Sequence, residues 1–126
     1  MCSFCTEHPE SIQHLLSECE TVSQLWDNVK HWIKNKLGLD INITSSMKIL
    51  GYVLNDAHFW PLNFVLLMTR KYIFQSSHKS CVLNIFALQL AIKKKYLEQQ
   101  MLQRIKLKEC PFNGKWNLWS QLFDGI

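Results

Sequence analysis

Glycine and proline are scarce in this sequence, four and three residues in 126. That scarcity excludes collagen-like, linker-rich and low-complexity chains. Charge is sparse as well, at 19% Asp, Glu, Lys and Arg against 48% apolar residues, the balance of a folded chain and not a disordered one. Long hydrophobic runs are absent. The longest lies near Phe59–Met68 and is broken by Pro61 and Asn63, well short of the roughly 20 residues that span a bilayer as a helix. No basic segment followed by an apolar stretch opens the chain, so no secretory leader is read. An intracellular location, cytoplasm or nucleus, is expected, where thiols stay reduced. Catalytic patterns are missing too. Asp27, Asp40, Asp56 and Asp124 stand isolated from one another, no Gly-rich loop offers to cradle a phosphate, and no nucleophile is paired with a histidine. The chain is therefore expected not to be an enzyme and to take no small-molecule substrate, and no membrane is expected among its partners.

What is present is aromatic and sulfur-rich. Five Trp and seven Phe need either an aromatic core or an interface. The length is that of one domain. Five cysteines are an odd number, and three of them fall within the first nineteen residues, which suits metal binding better than a disulfide framework. Cys2, Cys5, His14 and Cys19 follow the spacing C-x2-C-x8-H-x4-C. Structural zinc takes four tetrahedral N/S ligands from two such close pairs, which leaves no open coordination position. These four are the expected zinc ligands, with His8 a competitor because Cys5-x2-His8 is also permissible spacing. On an unbroken α-helix, residues five apart point roughly 140° away from each other. His14 and Cys19 can share one ion only if the helix between them ends near Glu18.

Periodicity predicts an all-α fold, a short zinc knuckle followed by a bundle of about four to five helices. Pro9 can open a short helix over Glu10–Glu18. From Thr21 to Leu37, Val22, Leu25, Trp26, Val29, Trp32, Ile33 and Leu37 form one apolar stripe, with Thr21 as the expected cap and Gly38 as the stop. Leu39, Ile41 and Ile43 then alternate with polar residues, a period-two signal expected to be an extended linker over the core. Met47–Gly51 is a short turn or helix. From Phe59 or Pro61 to Gln75 the chain is apolar almost all round, the mark of a buried helix. Ser76–Ser80 reads as a loop. Val82 to Lys108 reads as a long helix with Phe86, Ala87, Leu90, Ile92, Tyr96, Met101 and Leu102 among its inward residues. Pro111 ends it, and a short segment with Trp116 and Trp119 closes the chain. The domain organisation is 1–37 as a zinc-knuckle helical hairpin, 38–58 as a linker with a short turn or helix, and 59–126 as a helical bundle.

The segment Cys2, Cys5, Glu10, His14, Cys19 and Trp26 resembles the zinc-binding region at the C-terminal end of reverse transcriptases from non-LTR (LINE-class) retrotransposons. Ile49-Leu50-Gly51, Arg70-Lys71-Tyr72-Ile73-Phe74 and Lys115-Trp116 are similar to later parts of the same region. The resemblance implies an accessory module that helps hold element RNA and target DNA during target-primed reverse transcription. The palm, its aspartate pair and the endonuclease are all lacking, so polymerase activity does not carry over, and the chain reads as a fragment of a longer protein.

Charge locates the expected contact. Four Lys against seven acidic residues give residues 1–60 a net charge of −3, whereas ten Lys/Arg against three acids give residues 61–126 a net charge of +7. Lys93, Lys94, Lys95, Arg104, Lys106 and Lys108 are the expected contacts to RNA or DNA phosphates, without sequence readout. Arg70 and Lys71 can join them. The alternative reading is a helical protein-interaction fragment in which zinc only staples two helices and which docks on missing upstream polymerase domains.

Overall fold

The computed structural model describes residues 2, 4–6, 9, 11–50, 60–79, 82–106 and 117–126. Among them the fold is all-α, with no strand. A π turn over His14–Glu18 leads into α1 (Glu20–Leu37), α2 (Ser45–Leu50), α3 (Trp60–Lys79), α4 (Ile85–Lys106) and a closing 3-10 helix, Asn117–Phe123.

The apolar stripe of α1 is its buried face. Val22, Leu25, Trp26, Val29, Trp32 and Ile33 are buried, while Leu37 is half-buried at the rim. Gly38 takes a left-handed conformation (φ 69°) and donates its N–H to the Lys34 carbonyl at 2.8 Å, closing the last turn. The helix begins one residue earlier than its sequence predicts. Cys19, extended at φ −63° and ψ 128°, stands in the cap position expected of Thr21 and separates the π turn from α1.

Beyond Gly38 the period-two pattern appears as alternating burial without a partner strand. Leu39, Ile41 and Ile43 lie half-buried against the core and Asp40, Asn42 and Thr44 are exposed. Thr44 then starts α2, its hydroxyl accepting the Met47 N–H at 3.3 Å and its carbonyl the Lys48 N–H at 3.0 Å.

Helix α3 buries Leu62, Phe64, Val65, Leu66 and Ile73 and runs to Lys79, so Ser76–Lys79 is helix where a loop was expected. Buried hydroxyls find acceptors within the helix itself: Thr69 donates to the Val65 carbonyl at 2.7 Å and Ser77 to that of Phe74 at 2.8 Å. Helix α4 starts at Ile85 and not Val82, because Asn84 is its cap. The Asn84 Oδ1 accepts the Phe86 N–H at 2.8 Å, and its own N–H is held by the Tyr72 hydroxyl at 2.9 Å.

The buried ridge of α4 is Leu88, Ile92 and Tyr96, spaced by four. Phe86, Ala87, Leu90, Met101 and Leu102 were expected inside but are exposed. A helix of this length touches the core along one stripe only, and the ridge spaced by four wins that contact. The closing 3-10 helix packs on α1 and α4 through Phe123. Its ring lies edge-on to Trp32 at 6.2 Å and stacked on Tyr96 at 4.6 Å, while the Trp32 indole donates to the Leu122 carbonyl at 3.1 Å.

A four-ligand Cys/His site at the helix junction

Two local devices bring four ligands together. The first is the turn at Cys2–Thr6, where the Thr6 N–H donates to the Cys2 carbonyl at 3.0 Å. Thr6 closes this turn at φ 56°, a left-handed conformation uncommon for a β-branched residue. The second is the π turn. Ser11 caps its approach, with its hydroxyl accepting the His14 N–H at 3.1 Å and its carbonyl the Leu15 N–H at 2.8 Å. The Cys19 N–H then bonds the His14 carbonyl at 2.8 Å, an i→i+5 closure in place of i→i+4. One extra residue per turn brings residue 19 back over residue 14, which an α-helix cannot do. The helical stretch begins at Ile12, set by the Ser11 cap; the expected start at Glu10 lies outside the described residues.

The metal-binding atoms of Cys2, Cys5, His14 and Cys19 all lie within 4.8 Å of one another. Cys2 and Cys19 bring their sulfurs to 3.8 Å, and Cys5 Sγ lies 3.3 Å from His14 Nε2. For a tetrahedral ion with metal–sulfur bonds of about 2.3 Å and metal–nitrogen bonds of about 2.0 Å, the edges come to roughly 3.8 Å between sulfurs and 3.5 Å between sulfur and nitrogen. The two observed edges fit. None of the three cysteines is in a disulfide. These four residues can hold a metal ion. His8, the competing ligand, lies outside the described residues.

Electrostatics and second contacts support the arrangement. Burial pushes the Cys19 thiol up; the Thr21 and Val22 amides at the start of α1 pull it down, and the adjoining Cys2 raises it again. Without a cation the buried Cys19 thiol thus favours its proton, and a cation beside it reverses that balance. His14 turns Nε2 toward Cys5 and places Nδ1 4.0 Å from the Glu18 carboxylate. A carboxylate behind a ligating imidazole fixes the ring and its tautomer. Glu18 was missed in the sequence, although its position four residues after His14 is a readable signal. Trp26, on the next helix, donates its indole N–H to the Leu16 carbonyl at 2.8 Å, and the Ser23 hydroxyl points to the Ser17 carbonyl at 3.4 Å. Both serve carbonyls near the end of the π turn.

Compared with known proteins, the chain matches no family model, no curated protein and no solved structure. The site therefore rests on its own geometry.

The expected phosphate contacts are dispersed. Lys93, Lys94 and Lys95 are consecutive, so they fan through about 200° of the helix circumference instead of forming a stripe. Lys93 is half-buried and donates to the Ile126 carbonyl, Lys94 is exposed, and Lys95 pairs with Glu98 at 3.6 Å. Arg104 and Lys106 belong to α4, but their side chains, like Lys108, lie outside what the structure describes. Lys71 is exposed on α3, and Arg70 is partly buried beside α2. Trp26, Trp32 and Trp119 are buried and are core residues, not stacking platforms. His31 and His78 are exposed, whereas Cys81, Cys110, His58 and Trp116 fall outside the described side chains. No described helix is long and apolar enough to cross a membrane.

Proposed function

We propose that this chain is a zinc-clasped helical binding module with no catalytic role of its own. The observation that carries the reading is the closed ligand set. Three thiolates and one imidazole converge on one point, and soft sulfur with a tetrahedral edge selects zinc. With all four positions taken by protein, the ion has no place for water or substrate. It ties the Cys2–Thr6 turn to the start of α1. Cys2, Leu16, Cys19 and Trp26 are all buried in one cluster with the helices beyond, so the clasp is continuous with the core.

The binding partner proposed for this module is the backbone of RNA or DNA, as in the C-terminal region of LINE-class reverse transcriptases that residues 2–33 resemble. Support comes from the net +7 of residues 61–126. Lys94 stands ready as a phosphate contact, and Lys93 and Lys95 join it by exchanging their intramolecular partners. Metal analysis of the purified chain tests the clasp, with one zinc per chain expected. Fluorescence anisotropy with labelled single-stranded RNA and duplex DNA, over a range of salt, tests the rest. Replacing Lys93, Lys94 and Lys95 together by Ala is expected to flatten the slope of log K against log salt by roughly two to three. Absence of binding even at low salt would sink the nucleic-acid reading while leaving the clasp intact.

A second reading, docking on another protein domain, is favoured by α4 alone. Phe86, Leu90, Leu97 and Met101 are exposed along it at 69%, 59%, 47% and 63%. Salt-independent association that is abolished by Phe86→Ser and Leu90→Ser would decide for it.

A further inference from the structure

A groove of about 800 Å³ runs between α3, α4 and the metal-clasp turn. Its floor and walls are apolar, with Leu16, Phe64, Leu67 and Phe74 among the lining residues. Its charges are all of one sign. Arg70 and Lys71 enter from α3 and Lys95 from α4, and no Asp or Glu lines it. Arg70 is the unusual member. Its Nη1 donates to the Ile49 carbonyl at 2.6 Å, but its Nε is buried with no hydrogen-bond partner among the described residues. No ion pair compensates this guanidinium among those residues, and burial pulls its pKa down from the usual value. A desolvated, unpaired cation beside an apolar groove is costly until an anion meets it.

We propose that this groove binds a small amphipathic anion, a single apolar chain bearing a carboxylate. The apolar walls take the chain, and the cationic side of Arg70 with Lys71 takes the head group, Lys95 joining by exchanging its Glu98 partner. The volume lies within the roughly 300–1,000 Å³ of small-ligand sites. Leu16 belongs to the π turn, so the groove shares a wall with the metal clasp. This proposal does not depend on nucleic-acid binding.

Isothermal titration of the zinc-loaded full chain with sodium laurate, below its micelle concentration, tests it. The control is dodecyltrimethylammonium, which has a chain of similar length and the opposite charge. Saturable one-to-one binding of laurate is expected, at least about tenfold tighter than the cationic control, with Arg70→Met weakening it by about tenfold or more. Leu67 is 55% exposed, so Leu67→Glu puts a repelling carboxylate in the groove without removing core, and the same loss of laurate binding is expected. Circular dichroism checks that both variants keep their helix content; if Arg70→Met unfolds, Leu67→Glu decides. Equal affinity for the two head groups, non-saturable uptake, no binding at all, or laurate binding unchanged in Leu67→Glu would each overturn the proposal.

Discussion

Trp26 holds the π turn from the next helix: its indole N–H meets the Leu16 carbonyl at 2.8 Å, with the ring 1% exposed. The bond ties the segment carrying His14 and Cys19 to α1, whose apolar face is buried in the core. Trp26→Phe keeps most of the ring volume and leaves that carbonyl without its donor. A loss of roughly 1–3 kcal/mol is expected, the cost of an unsatisfied buried acceptor, read from urea unfolding of the metal-loaded protein, with metal stoichiometry unchanged.

Removing zinc from the proposed clasp is expected to cost far more. Structural zinc contributes on the order of 10–16 kcal/mol of apparent binding energy, comparable to or above the 5–15 kcal/mol that holds a whole domain. Chelation should release the Cys2–Thr6 turn and the π turn and lower the melting temperature. Cys19→Ser should do the same without chelator. Acid competes with the metal for each thiolate, and because burial raises the Cys19 thiol, zinc release on lowering pH should begin early at this ligand. A melting temperature indifferent to chelator would remove the clasp from the account.

Glu18 stands behind His14 with its carboxylate 4.0 Å from Nδ1 and its side chain 54% exposed. Contacts of this kind typically change metal affinity by about 10–100-fold, and the solvent around Glu18 puts it at the weak end. Glu18→Gln is expected to weaken zinc by about tenfold in a competition titration against a chromogenic chelator, with helix content unchanged.

Thr6 holds φ 56°, where a side chain costs roughly 1–2 kcal/mol and glycine little. Against this, glycine carries more disorder in the unfolded chain and loses the Thr6 hydroxyl's contact with the Cys5 carbonyl at 2.7 Å. Thr6→Gly is expected to leave stability within about 1 kcal/mol and metal affinity intact, whereas Thr6→Val is expected to destabilise, since it keeps the strain without the hydroxyl. Thermal melts of the three proteins side by side decide it.

Much of the chain was legible one-dimensionally because a helix writes its burial into its own spacing. The stripe from Val22 to Ile33, the stop at Gly38 and the alternation at Leu39, Ile41 and Ile43 are local consequences of side-chain direction, and the structure keeps each of them. So is the ligand spacing, which already requires the helix after His14 to end near Glu18. How it ends is not local. The i→i+5 closure from Cys19 to His14 is accompanied by bonds to the turn from Ser11 just before it and from Ser23 and Trp26 on α1, which must pack back against it. The burial of α4 is a tertiary matter as well. Phe86 and Leu88 are both apolar and two residues apart, and hydrophobicity alone does not say which faces the core. Contact with Phe123 and α3 chooses the ridge Leu88, Ile92 and Tyr96. Sequence determined the all-α class, the helix that carries Val22 and stops at Gly38, and which four side chains suit one ion. Only the tertiary structure decided which faces are spent on the core, since a long helix can bury just one stripe and its neighbours select it.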